Sequence, residues 1–173
     1  MQTHEYMTFK GLSFNCDINT FVSGLEALGY TLGLIEDRVA VLNGSFANKE
    51  GCTIVVLATN TSKLVWKVVI NFPEQISWRS LKSEYNTFKD LYTKKYGAPN
   101  DYEFFDYPYE EGDGHELTAL ELEKCTYSSY FTTHQGFVVL DISTQKNIKV
   151  SYEDKINCEI WEAEKEESIL DEI

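Results

Sequence analysis

The chain has 173 residues, of which 43% are hydrophobic and 14% aromatic, with a formal charge of −13; this is a globular composition, long enough to bury a core. The charge is not spread evenly, because Asp101 to Glu116 holds seven acids and no base, and Glu153 to Ile173 holds nine acids against Lys155 and Lys165. An acidic balance of this kind argues against nucleic acid and anionic lipid as partners, since both demand a basic patch, and no apolar run approaches the roughly 20 residues of a membrane span.

Met1 to Glu5 lacks the basic start and apolar core of a secretion signal, so a cytoplasmic location is expected, with export as the alternative if a signal was removed before this numbering. Met7 to Phe14 alternates apolar and polar side chains and predicts a first strand. Asp17 is placed to cap a helix whose Ile18, Phe21, Val22, Leu25 and Leu28 share one face and which Gly29 ends. Arg38–Phe46, Cys52–Thr59 and Lys63–Phe72 predict strands, with turns at 47–51 and 59–62. Asn43-Gly44 reads either as a hairpin turn or as a bulge within the first of these strands.

The next stretch is the most legible in the chain. Trp78, Leu81, Tyr85, Phe88, Leu91, Tyr92 and Tyr96 recur at three- and four-residue steps. Ser77 stands at the N-cap, Lys94 and Lys95 occupy the last turn, and Gly97 with Pro99 supplies the stop. Beyond the acidic stretch 101–116, Leu117–Lys124 is strand-length with uncertain register. Thr126–Thr133, Phe137–Ile142 and Ile148–Tyr152 predict further strands, and 159–173 reads as an acidic tail or short helix.

The predicted fold is α+β, a largely antiparallel sheet of about eight strands with two helices packed on one face. The expected organisation is a single domain over 1–158 followed by the segment 159–173. Leu28-Gly29 matches Tyr96-Gly97, Cys52-Thr53 matches Cys125-Thr126, and 67–70 matches 139–142. These likenesses suggest an internal duplication of a strand-helix-hairpin unit, with pseudo-repeats at 7–63 and 64–133 and a final hairpin at 136–152.

The stretches Phe9–Gly11, Phe21–Tyr30, Phe72–Glu74, Trp78–Tyr85, Lys95–Pro99 and Tyr152–Asn157 resemble those of a family of gut Bacteroidetes proteins with no assigned function, so the resemblance implies no catalytic residues. In outline, a duplicated helix-plus-antiparallel-strand plan is similar to β-lactamase-inhibitor-like and outer-membrane assembly lipoprotein modules, which bind proteins. That likeness is one of architecture alone.

The common nucleotide, zinc-protease and hydrolase signatures are absent. Cys16, Cys52, Cys125 and Cys158 lack metal-site spacing and read as free thiols. Cys125 with His134, and Asp113 with His115 and Glu116, are the acid-base or thiolate combinations that can be drawn, each without an orienting partner. No catalytic residue and no cofactor is assigned. The acidic stretch carries the functional expectation. Its aromatic residues, with Phe104 and Phe105 either in the interface or closing the core edge, sit among carboxylates, as an interface for a basic protein partner would have them. Tyr102, Tyr107, Tyr109, Glu110 and Glu111 are the expected contacts, and a non-enzymatic interaction module is the leading reading. The alternative is an enzyme or calcium-binding module built around the same loop, with Asp106 and Asp113 as candidate ligands. Oligomeric state is not legible.

Overall fold

The computed structural model describes residues 6–173; the first five, including His4 and the stretch read for a secretion signal, lie outside the described residues. The fold is α+β. Among the described residues it holds a two-stranded sheet, an eight-stranded, largely antiparallel sheet and four helices. The chain divides into two compact units. One comprises Met1–Ile70, Thr133–Phe137 and Ser151–Ile173, and the other Asn71–Thr132 and Val138–Val150.

In the first unit the stretch read as one strand folds back on itself. β1 (Thr8–Phe9) pairs with β2 (Leu12–Ser13) across a turn in which Lys10 and Gly11 both have positive φ, so the alternation seen in sequence belongs to a hairpin. Helix α1 (Ile18–Ala27) begins where expected: the Asp17 carboxylate accepts the Thr20 amide at 2.9 Å. Its buried face, Ile18, Phe21, Val22 and Leu25, packs against the strands that follow.

Those strands are β3 (Thr31–Glu36), β4 (Val39–Phe46), β5 (Lys49–Ala58) and β6 (Val65–Asn71), of which β3 was not anticipated. Asn43-Gly44 lies within β4, and the pairing with β5 shifts register just beyond it, which decides the open alternative in favour of a bulge; Ala47 and Asn48, both at positive φ, make the turn. Gly44 is required there by close approach. A Cβ on it would lie 2.4 Å from the Tyr30 ring, whose hydroxyl donates to the Ser45 carbonyl at 2.7 Å.

The segment expected as a tail or short helix beginning at 159 is a helix that starts earlier, α4 (Lys155–Leu170). Asp154 caps it. The buried Asp154 carboxylate accepts the amides of Asn157 at 2.8 Å and Met7 at 2.7 Å, and burial holds its pKa above the ordinary aspartate value. The Asn157 amide group donates to the carbonyls of Phe14 and Val65. Trp161 stacks on Trp66 at 4.3 Å, and Glu164 accepts the amides of Thr61 and Ser62, so the acidic helix is docked as far as Glu164, while 165–170 are exposed.

In the second unit, helix α2 (Trp78–Tyr96) has the predicted limits, with the Ser77 hydroxyl accepting the Ser80 amide and Lys94 and Lys95 in the last turn. Leu81, Tyr85, Phe88 and Tyr92 are its buried face, packed on β8 (Cys125–Thr132). Residues 117–124 are not a strand. Glu116–Glu121 forms a short helix, α3, because Ala119 and Leu120 turn into the core while Leu122 is exposed, a spacing that a half-buried strand does not produce. The first part of the expected loop is a strand, β7 (Asn100–Phe105), paired in register with β8 from Asn100 opposite Tyr130 to Phe105 opposite Cys125.

With β9 (Gly136–Ile142) and β10 (Ile148–Asp154) the large sheet runs β3-β4-β5-β6-β10-β9-β8-β7. In the first run α1 is followed directly by β3 to β6, whereas in the second α2 is followed by β7, then the short helix α3, then β8 to β10. Leu28-Gly29 and Tyr96-Gly97 both close the helix of their run. Cys52-Thr53 lies on a third strand, whereas Cys125-Thr126 lies on a second one.

Candidate functional site

β7 is an edge strand, paired among the described residues only on its β8 side. Its side chains alternate in chemistry. Asp101, Glu103 and Phe105 fall on one face, while Tyr102 and Phe104 fall on the other and are 52% and 47% exposed. The charged face is neutralised from α2: Lys89 Nζ lies 2.8 Å from Asp101 and 2.6 Å from Glu103. Desolvation pulls the Lys89 pKa down, but the two carboxylates outweigh it and hold the ammonium above its usual value. Behind this pair, the Tyr85 hydroxyl lies 2.6 Å from Ser129 Oγ, and Ser129 donates to Asp101 at 2.8 Å. Phe105 meets Trp78 edge-on at 5.5 Å. The inner face of the edge strand is thus rigid and satisfied.

The segment that follows is an ordered turn. The Asp106 amide donates to the Lys124 carbonyl, and the Tyr109 amide to the Asp106 carbonyl. Asp113 accepts the amides of Glu110 at 3.0 Å and His115 at 2.7 Å, which hold its carboxyl below the ordinary range, and Glu116 accepts the Gly112 amide at 3.1 Å. Glu111 pairs with Lys82 and accepts from the Tyr127 hydroxyl at 3.2 Å. The Lys82 hydrogen bond dominates the lowering of its pKa, with further help from the buried Trp78 indole, which sits outside the geometry of a formed hydrogen bond.

The sequence-derived contacts thus separate into two groups. Tyr107, 93% exposed, and Glu110 face solvent, and Tyr102 is half exposed, all available to a partner. Tyr109 is partly buried, and Glu111 is committed to holding the turn. Of the two candidate calcium ligands, Asp113 accepts a backbone amide on each oxygen, and among the described residues there is no group of three or more His, Cys, Asp or Glu side chains that could hold a metal ion.

Cys125 is buried, and desolvation with the nearby Glu111 and Glu116 charges pushes its thiol up to about 12, so no thiolate is available at neutral pH. The other three thiols are free as well. What sequence reasoning missed is that the first five residues of the acidic stretch belong to a strand. The alternation of acid and aromatic residues over Asp101 to Phe105 was the available signal. No helix among the described residues is long and apolar enough to cross a membrane. Comparison with protein-family models, curated proteins and solved structures finds no match to this chain.

Proposed function

We propose that this protein is a non-enzymatic interaction module that takes a basic, extended segment of a partner protein along β7 and the turn that follows it. The observation that carries the reading is the continuity of an open sheet edge with a solvent-facing aromatic, Tyr107, in a segment whose Asp106 and Glu110 carboxylates have no cationic partner among the described residues. An added strand gains main-chain hydrogen bonds from the edge, and pockets and charges beside it select the sequence. The carboxylates of Asp106 and Glu110 beside the edge disfavour the approach of a second copy of the same acidic segment and favour a Lys- or Arg-bearing strand.

The test uses a fluorescently labelled peptide of alternating Lys and Val, long enough for six residues to lie along β7, titrated with the whole protein and followed by anisotropy. Saturable binding that weakens with added salt and is lost on replacing Tyr107→Ala together with Tyr109→Ala, with the unfolding transition preserved, supports the reading. Binding that is absent, or that is the same in the double variant, contradicts it.

A further inference from the structure

A second site lies away from the strand edge. Within the second unit, β8, β9 and β10 enclose a partly open cleft of about 330 Å³, at the small end of the roughly 300–1,000 Å³ range of small-molecule sites. Its lining is unusually rich in hydroxyl groups: Thr126 and Ser128 from β8, and Ser143 and Thr144 from the turn after β9. Both signs of charge are present, Glu123 and Asp141 on one side of the account and Lys149 on the other. Asp141 is held in place by the Ser128 hydroxyl, which donates to it. Glu123 stands just before β8, with its backbone at a positive φ of 58° and its side chain exposed.

The neighbouring strand carries two aromatic rings on the same face, beside the cleft and outside its lining. Tyr102 and Phe104 stand directly opposite Ser128 and Thr126 in the β7–β8 register, so they share the face of these residues, and both rings are about half exposed. We infer that this cleft binds a neutral, polyhydroxylated small molecule of monosaccharide size. A cation would face Lys149 and an anion would face Glu123 and Asp141. A hydroxyl group, in contrast, donates to a carboxylate and accepts from an ammonium, and so suits Glu123, Asp141 and Lys149 alike, while the Ser128 and Ser143 hydroxyls, which already donate to Asp141 and Asn147, keep acceptor capacity. A sugar that reaches past the rim of the cleft can lay its C–H face on the exposed rings of Tyr102 or Phe104. This site goes beyond the proposed strand-edge function and does not rest on it.

The experiment is a titration of the isotopically labelled protein with glucose, galactose, mannose and xylose, with glucosamine and glucuronate as charged counterparts, read by amide chemical shifts. The expected result is saturable, millimolar binding of at least one neutral sugar, with shifts centred on residues 126–128 and 141–149. Lys149→Met and Asp141→Asn should each weaken it by about tenfold, and Tyr107→Ala should leave it unchanged. Three results overturn the inference: no saturable shift with any neutral sugar, tighter binding of glucosamine or glucuronate, or unaltered binding in both cleft variants. Because Tyr107 lies outside the cleft and Lys149 outside the turn, failure of this site and failure of the strand-edge reading are told apart by which variants respond.

Discussion

The Tyr127 hydroxyl donates to the Glu111 carboxylate at 3.2 Å, and Glu111 also pairs with Lys82 of α2. An acidic segment that composition alone would leave as solvated loop is therefore pinned at its middle to a strand and a helix. Glu111→Gln should accelerate amide exchange across residues 110–115 severalfold while changing the overall unfolding midpoint little, because an exposed ion pair contributes less than about 1 kcal/mol. The Glu111 pKa is depressed, so its contribution is present above the unfolded-state glutamate pKa and is lost as pH falls through the lower folded-state value. Amide exchange measured at neutral and acidic pH checks both statements.

Asn157 ties three parts of the first unit together, since its side-chain amide donates to Phe14 and Val65 while its own backbone amide is held by Asp154. Asn157→Ala removes one donor each from the Phe14 and Val65 carbonyls, of which Phe14 keeps the Cys16 amide, and a cost on the order of 2 kcal/mol is expected. Denaturant unfolding with an unchanged m-value would register it as a lower midpoint.

Tyr85 and Tyr127 both have hydroxyls whose ionisation is opposed first by burial and then by neighbouring carboxylates, so both pKa values lie well above the ordinary tyrosine value. The folded state keeps these protons where the unfolded state releases them. Stability from this source is complete below the unfolded-state pKa and falls as pH rises above it. An ultraviolet titration should therefore show at least two phenols, Tyr85 and Tyr127, that ionise only with alkaline unfolding, and Tyr85→Phe should reduce the number of such phenols by one.

Asp113 has one backbone amide on each carboxylate oxygen, so a cation recruited to it would compete with the hydrogen bonds of the turn that it makes. Millimolar Ca²⁺ added to chelator-stripped protein should leave the thermal midpoint unchanged, as specific binding to the folded form would raise it. A saturable upward shift removed by Asp106→Asn with Asp113→Asn would restore the calcium reading.

Local signals were legible where partners are close in sequence. The Ser77 cap, the aromatic stripe and the closing glycine define α2 without outside help, and the Asp17 cap does the same for α1. Elements held by distant partners were not. β7 has acids on its inner face, and what makes them tolerable is Lys89, a helix away. α4 is too acidic to declare a buried face, and its anchors are Trp66 and the 61–62 turn, nearly 100 residues earlier. Residues 117–124 were ambiguous for another reason: one short turn of helix buries only Ala119 and Leu120, too few positions to establish a period. The cleft between β8, β9 and β10 is assembled from three strands and a turn, and no spacing in the chain announces it.

The measurement that bears most directly on the strand-edge claim is hydrogen exchange of the β7 amides with and without the alternating Lys-Val peptide. The outward-facing amides of Asn100–Phe105 should exchange readily in the free protein and become protected at saturating peptide, while the amides already bonded to β8 stay as they were. Protection that appears elsewhere, with β7 unchanged under conditions where the peptide is bound, would contradict the account.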